Sequence, residues 1–202
     1  MSLNPLIIGI TGKIGSGKTT ISDYIEKEYE FQTYSFADPI KHMAKAFGFK
    51  QHEVFGTQAQ KLEINEHWGI SGRHFLQKLG TDIFRDIVPK VIPDLNLGES
   101  GSPWIRAFEI HMLEQKENTK IVIGDVRFIN ESESIQKLGG YIIKIGDSSL
   151  KKDDGSAYSK HASETETDNI HENFLIYNVG TLNELYTKIN IIIESLTIEV
   201  IE

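Results

Sequence analysis

Short apolar runs alternate with segments of helical spacing along most of the chain. Pro5 to Thr11 (PLIIGIT) is an apolar run that ends beside glycine and predicts a buried strand. Thr19 to Tyr29 has helical spacing, with Ile21, Tyr24 and Ile25 apolar and Asp23, Glu26 and Lys27 polar. Phe31 to Phe36 predicts a second strand. Asp38 is placed to cap the next helix, with Pro39 at its first position and Gly48 stopping it after Phe47. Gln51 to Ile70 has no clear period and reads as an irregular surface stretch. Ser71 to Val88 predicts one long helix with an apolar stripe of Leu76, Leu79, Ile83 and Ile87. Pro93 to Pro103 is a loop by its proline, glycine and serine content, and Trp104 to Glu117 is helical again. Lys120 to Asp125, Tyr141 to Ile145 and Phe174 to Tyr177 predict three more strands. Helices are predicted over Asn130 to Leu138 and Leu182 to Ile193. Asp147 to Thr167 is polar and reads as a mobile loop.

Strands that alternate with helices call for a parallel sheet covered on both faces. The helical block from Asp38 to Glu117 is too long for a simple crossover. It reads as an insertion, residues 38–117, within a single domain of residues 1–202, with a lid-like loop at 147–167.

Composition changes this picture little. A chain of 202 residues that is 39% hydrophobic and 25% charged can bury an ordinary core. It has no cysteine, which removes disulfides and thiolate metal sites from consideration. No apolar run approaches the roughly 20 residues that span a bilayer, and the start lacks the features of a signal peptide. The formal net charge of -8 argues against nucleic acid as a partner. An anionic ligand must therefore be held by a local positive site.

Such a site is written into Gly12-Lys13-Ile14-Gly15-Ser16-Gly17-Lys18-Thr19, a complete G-x-x-x-x-G-K-[ST] motif between a predicted strand and a predicted helix. Its glycines let backbone N–H groups converge on phosphate oxygens, and the helix start, through Thr20, adds positive potential. Lys18 is expected on the β- and γ-phosphates of a triphosphate, and the Thr19 hydroxyl on magnesium. Lys13 either helps hold the γ-phosphate or is an exposed loop lysine. Asp125 ends an apolar strand, where an acid orients water on the metal; the alternative is an ordinary strand-end carboxylate. Arg127, two residues on, suits an acceptor phosphate or a salt bridge to a neighbour.

The chain has four arginines, Arg73, Arg85, Arg106 and Arg127. Arg73, Gln77, Thr81 and Arg85 recur every four residues, and each such α-helical step advances about 40° beyond a full turn. They form a drifting seam, with Arg73 in the first turn after Ser71, where free N–H groups also favour phosphate. Asp38 and Lys41 either bracket the acceptor or serve as a helix cap and its partner. Arg106 reads as structural. Trp68, Phe75 and Trp104 are suited to stacking on a base, although core packing is the commoner role for such aromatics. The seven histidines show no metal-ligand spacing.

The segments GITGKIGSGKTT (9–20), SFADPIK (35–41), WGISGRHFLQKLGTDIFRD (68–86), IVIGDVRFINESESIQKLGG (121–140) and HASETETDN (161–169) resemble, in order, the deoxynucleoside monophosphate kinases of large DNA phages and viruses. The resemblance implies a three-layer α/β/α P-loop kinase fold with a parallel sheet, a helical acceptor-binding insertion and a lid. It implies transfer of the γ-phosphoryl group of ATP, with Mg2+, to a deoxynucleoside monophosphate, in the cytoplasm of the cell or of an infected host. The implied acceptor site comprises Asp38, Lys41, Arg73, Gln77 and Arg127. A homodimer is compatible with it. Lids of such kinases carry arginines, whereas 147–160 offers only Lys151, Lys152 and Lys160. A phosphomevalonate kinase-like enzyme shares much of the pattern but lacks the Gln-Lys-Leu-Gly-Thr-Asp block. A nucleotide-binding switch without an acceptor is the third reading, and it has no use for a second phosphate pocket.

Overall fold

The computed structural model describes residues 5–146 and 166–199. They form two compact units, Met1–Ser35 with His111–Glu202, and Phe36–Ile110.

The first unit is built on five strands: β1 (Leu6–Gly12), β2 (Gln32–Tyr34), β3 (Lys120–Val126), β4 (Tyr141–Gly146) and β5 (Phe174–Tyr177). They lie in the order β2-β3-β1-β4-β5, and every pairing is parallel. Parallel strands need crossovers, and α1 (Lys18–Tyr29), α8 (Ile129–Lys137) and α9 (Leu182–Glu199) cover the sheet. Alternation along β1 sorts the faces. Ile8 and Ile10 join Val122, Ile143, Ile145 and Ile176 in a core closed by Ile21 and Ile25 of α1 and by Leu185, Ile189 and Ile193 of α9. Gly9 points the other way, where a Cβ would come within 2.8 Å of Ile135 Cδ1 on α8. The result is three layers, α/β/α, with the inner strands β1, β3 and β4 buried on both faces, hence their near-continuous apolar runs, and the outer strands β2 and β5 more exposed.

The second unit is helical: α2 (Asp38–Ala46), α3 (Gln51–Phe55), α4 (Gln58–Leu62), α5 (Gly72–Gln77), a π-helical segment (Lys78–Arg85), α6 (Val88–Val91) and most of α7 (Pro103–Leu113). Ala44, Phe49 and Val54 form its small core, with Phe55, Ile70, Phe75 and Leu76 packed around them.

Two expectations fail here. The stretch Gln51 to Ile70 is not irregular. It contains α3 and α4, and its order centres on Glu53, only 4% exposed. The Lys50 amide donates to Glu53 Oε2 at 2.5 Å, capping α3, and Asn65 Nδ2 donates to both carboxylate oxygens at 3.0 and 3.1 Å. Asn65 Oδ1 in turn accepts from the amides of His67 and Trp68, so one buried pair ties down the loop before α5. Ser71 to Val88 is not one α-helix either. It changes to π geometry at Lys78, with the Asp86 amide donating five residues back to Thr81 O. Gly80 sits in this segment, where a Cβ would meet Ile40 Cδ1 at 3.0 Å. The Trp104 indole donates to Gly80 O at 3.0 Å. Wider turns also misplace the predicted stripe, leaving Ile83 and Ile87 exposed at 41% and 46%. No helix among the described residues is long and apolar enough to cross a membrane.

Candidate active site

The carboxyl end of β1 runs directly into the glycine-rich loop. Gly12, Gly15 and Gly17 have φ of 146°, 76° and 101°, values that side-chain-bearing residues rarely adopt. Gly12 has a second constraint, because a Cβ there would lie 2.8 Å from Ile145 O on β4. Gly17 is the N-cap of α1 and lends no side chain to it, so the first-turn N–H groups lack a side-chain cap. Lys18 Nζ folds back over the loop and donates to Gly12 O at 2.5 Å and Lys13 O at 2.7 Å. The loop thus surrounds an ammonium group and the start of a 12-residue helix. Ser16 Oγ is buried there without a hydrogen-bond partner among the described residues.

Thr19 is exposed at the start of α1, and Thr20 is half-buried. Ile14 lies at the surface of the loop, 39% exposed. Lys13 pairs with Asp168 at 3.5 Å, both side chains more than half exposed, a pair of small energetic weight. Asp125, at the end of β3, accepts from Ser35 Oγ at 2.8 Å. Its neighbour Gly124 abuts α1, since a Cβ there would come within 2.9 Å of Ser22 Oγ. Asp125 therefore stands at the same carboxyl end of the sheet as the loop. Arg127 follows; its backbone N–H donates to Glu131 Oε2 at 2.9 Å, part of the cap that opens α8 and fixes the arginine's backbone. All of these residues belong to the first unit.

The predicted acceptor-side residues other than Arg127 belong to the second unit. Asp38 and Lys41 form an ion pair at 2.8 Å on the first turn of α2, and Lys41 Nζ lies 5.2 Å from the Phe55 ring centroid. Arg73 is 8% exposed, and its Nη1 donates to Gln58 Oε1 at 3.0 Å. Ser71 caps α5 by accepting from the His74 amide, placing Arg73 in the first turn. Gln77 ends α5 just before the π segment, and its Nε2 is buried without a hydrogen-bond partner among the described residues. The change to π geometry also alters the seam. Four residues overshoot an α turn but fall short of the wider π turn, so the drift past Gln77 is not the one expected. Arg106 pairs with Glu109 at 3.1 Å. Trp104 and Phe75 are packing residues, whereas Trp68 is 51% exposed with its indole donating to Phe47 O. Lys151, Lys152 and Lys160, the expected lid cations, lie outside the described residues.

Three elements of this arrangement had no place in the sequence reading. Ser35 orients Asp125. Glu53 and Asn65 order the approach to Arg73. Asn178, directly after β5, donates from Nδ2 to Ser16 O at 2.9 Å. A signal for Asn178 existed, since ligands of open α/β sheets gather at the carboxyl ends of the strands.

A family model described as deoxynucleotide monophosphate kinase matches residues 45–189. That stretch begins after the phosphate loop, so motif and family match are separate observations. A protein of Acanthamoeba polyphaga mimivirus, provisionally named a deoxynucleotide monophosphate kinase, is 35% identical over 187 residues, covering 91% of this chain and 94% of the relative. The deoxynucleotide monophosphate kinase of Escherichia phage RB69 is 26% identical over 62% of this chain and 45% of its own. The dephospho-CoA kinase of Borreliella burgdorferi is 32% identical over 71% of this chain and 63% of its own.

Proposed function

The chain belongs to the deoxynucleotide monophosphate kinase family, and we propose that Gly12 to Thr20 hold the ATP whose γ-phosphoryl group it transfers to a deoxynucleoside monophosphate. The observation that carries this reading is the loop itself: three left-handed glycines, an ammonium group turned inward and a helix start without a side-chain cap. Lys18 exchanges its two loop carbonyls for β- and γ-phosphate oxygens, and the amides of the loop take the rest of the charge. The alternative acceptor phosphomevalonate and the acceptor-free switch are not favoured by the family match.

The acceptor monophosphate is assigned to Arg73, Gln77 and Arg127, with Asp38 and Lys41 alongside. Support comes from the near-complete burial of Arg73 and from the Gln77 Nε2 donor, which has no hydrogen-bond partner among the described residues. A buried donor of this kind is costly unless a ligand completes it. Arg73 and Arg127 bring planar, permanently charged forks suited to phosphate. The acceptor oxygen is largely ionised near pH 7, because a phosphate monoester has its second pKa near 6. No strong general base is required, and positioning with charge neutralisation carries the catalysis.

Kinases of this kind use a divalent metal, which we assign as Mg2+. The donor set fits: an exposed hydroxyl on Thr19 and a carboxylate on Asp125 suit an ion held mainly by phosphate oxygens and water. When bound, the metal neutralises charge on the transferred group. Thr19 and Asp125 would hold the ion, Asp125 through water, and Ser35 Oγ donates to the Asp125 carboxylate and orients it.

An acceptor panel tests the reading. Incubation with ATP, Mg2+ and each deoxynucleoside monophosphate, phosphomevalonate or dephospho-CoA, followed by 31P NMR, is expected to yield a deoxynucleoside diphosphate. Phosphorylation of either other acceptor in preference, or of none, contradicts it.

A further inference from the structure

The phosphate loop is braced at both ends by the strands on one side of it. At its start, Gly12 lies against Ile145 of β4, close enough that any side chain would strike the Ile145 carbonyl oxygen. At its end, the brace is Asn178. Its Nδ2 donates to Ser16 O at 2.9 Å, and a Cβ on Gly17 would come within 2.6 Å of the same nitrogen. Ser16 and Gly17 are where the chain turns into α1, so their orientation fixes where the first N–H groups of that helix point.

Asn178 is itself firmly placed. It follows Tyr177, which pairs with Gly146 across β4 and β5. The Tyr177 carbonyl accepts from Lys188 Nζ at 2.9 Å. Beyond it, Gly180 turns at φ 94°, and Thr181 and Glu184 cap α9 reciprocally, with Thr181 N donating to Glu184 Oε2 at 2.7 Å. A short, tied segment thus presents one amide group to one carbonyl of the loop.

We propose that Asn178 is a positioning residue for the phosphate loop, holding Ser16 and Gly17 in the conformation that receives the triphosphate. The proposal rests on the reading of Gly12 to Thr20 as the triphosphate cradle. Its chemistry is specific. The group at this position must be a hydrogen-bond donor, because the partner is a carbonyl oxygen, and the Asn178 amide N–H supplies it. A carboxylate of the same shape would be repelled by that oxygen and by the phosphates. The action runs through the backbone, so it concerns the phosphates and not the base.

Asn178→Ala and the isosteric Asn178→Asp test this, with inorganic tripolyphosphate as a probe that has no base. Calorimetric binding of tripolyphosphate and of ATP is measured for wild type and both variants, beside initial-rate KM values for ATP and for the acceptor. Loss of one neutral hydrogen bond predicts about 3- to 10-fold weaker binding of both ligands for the alanine variant. The aspartate variant is expected to be weaker still, with acceptor KM unchanged and the melting temperature close to wild type. Equal affinity of wild type and both variants for tripolyphosphate overturns the proposal while leaving the triphosphate reading intact. A loss confined to ATP overturns it too, by moving Asn178 to the base. A wild-type protein that binds neither ligand overturns the reading of the cradle and this proposal with it.

Discussion

The two units reach their functional residues by opposite routes. In the first, a strand buried on both faces ends in a loop whose conformation is set by glycine, so the sequence pattern and the chemistry coincide in Leu6–Gly12 and the eight residues of the motif. In the second, Arg73 is positioned by contacts remote along the chain: Gln58 on α4, and a loop held by Glu53 and Asn65. Local rules suffice where backbone geometry is the device. They fail where a buried polar side chain is the device, since nothing in a window around Glu53 distinguishes it from the many solvated glutamates of the chain.

The largest expected effect belongs to the first route. Lys18→Ala should lower kcat/KM on the order of a hundredfold or more, because it removes a preorganised charge from the transition state. Its melting temperature should stay near that of wild type, as Lys18 Nζ donates to the loop's own carbonyls, Gly12 O and Lys13 O. Near-normal turnover would remove the loop from the chemistry.

The second unit should respond in stability first. Glu53→Ala strands the buried Asn65 amide and uncaps α3, and should cost about 2–3 kcal/mol in chemical denaturation. Burial pushes the Glu53 pKa up, but the Lys50 amide and the Asn65 amide outweigh it and hold the carboxyl below its ordinary value of 4.5. The sign follows. A lowered folded pKa means that Glu53 contributes fully above the unfolded value, and that the contribution fades as pH falls through the folded one. Wild type should therefore lose stability in acid more steeply than Glu53→Gln. Parallel curves for the two would show that the carboxylate is not the source. Trp104→Phe is a milder probe of the same unit. It keeps the ring beside Phe84 but deletes the indole donor to Gly80 O, and should cost about 1 kcal/mol. A cost near zero would mean that the π segment does not depend on that bond.

This contrast also accounts for what the sequence made legible. The strand order could not be read from the pattern, yet the strands and the parallel arrangement could, most clearly for β1, β3 and β4, where burial on both faces leaves continuous apolar runs such as Ile121–Val122–Ile123. The motif residues Gly12 to Thr19 were legible for the same local reason. The π segment was not. Leu76, Leu79, Ile83 and Ile87 fit an α stripe, and the change of geometry coincides with tertiary contacts of Gly80, which abuts Ile40 and accepts from Trp104. Asn178 escaped notice because its role depends on Ser16, 162 residues away in sequence.

The measurement that tests the account most directly separates donor from acceptor in one variant. Arg73→Lys keeps the positive charge and loses the planar fork. Initial rates with ATP and the preferred deoxynucleoside monophosphate varied in turn should show acceptor KM raised about fivefold, a change of about 1 kcal/mol, with ATP KM unchanged. A rise in ATP KM with acceptor KM unmoved would place Arg73 on the donor side and contradict the assignment of the second unit to the acceptor.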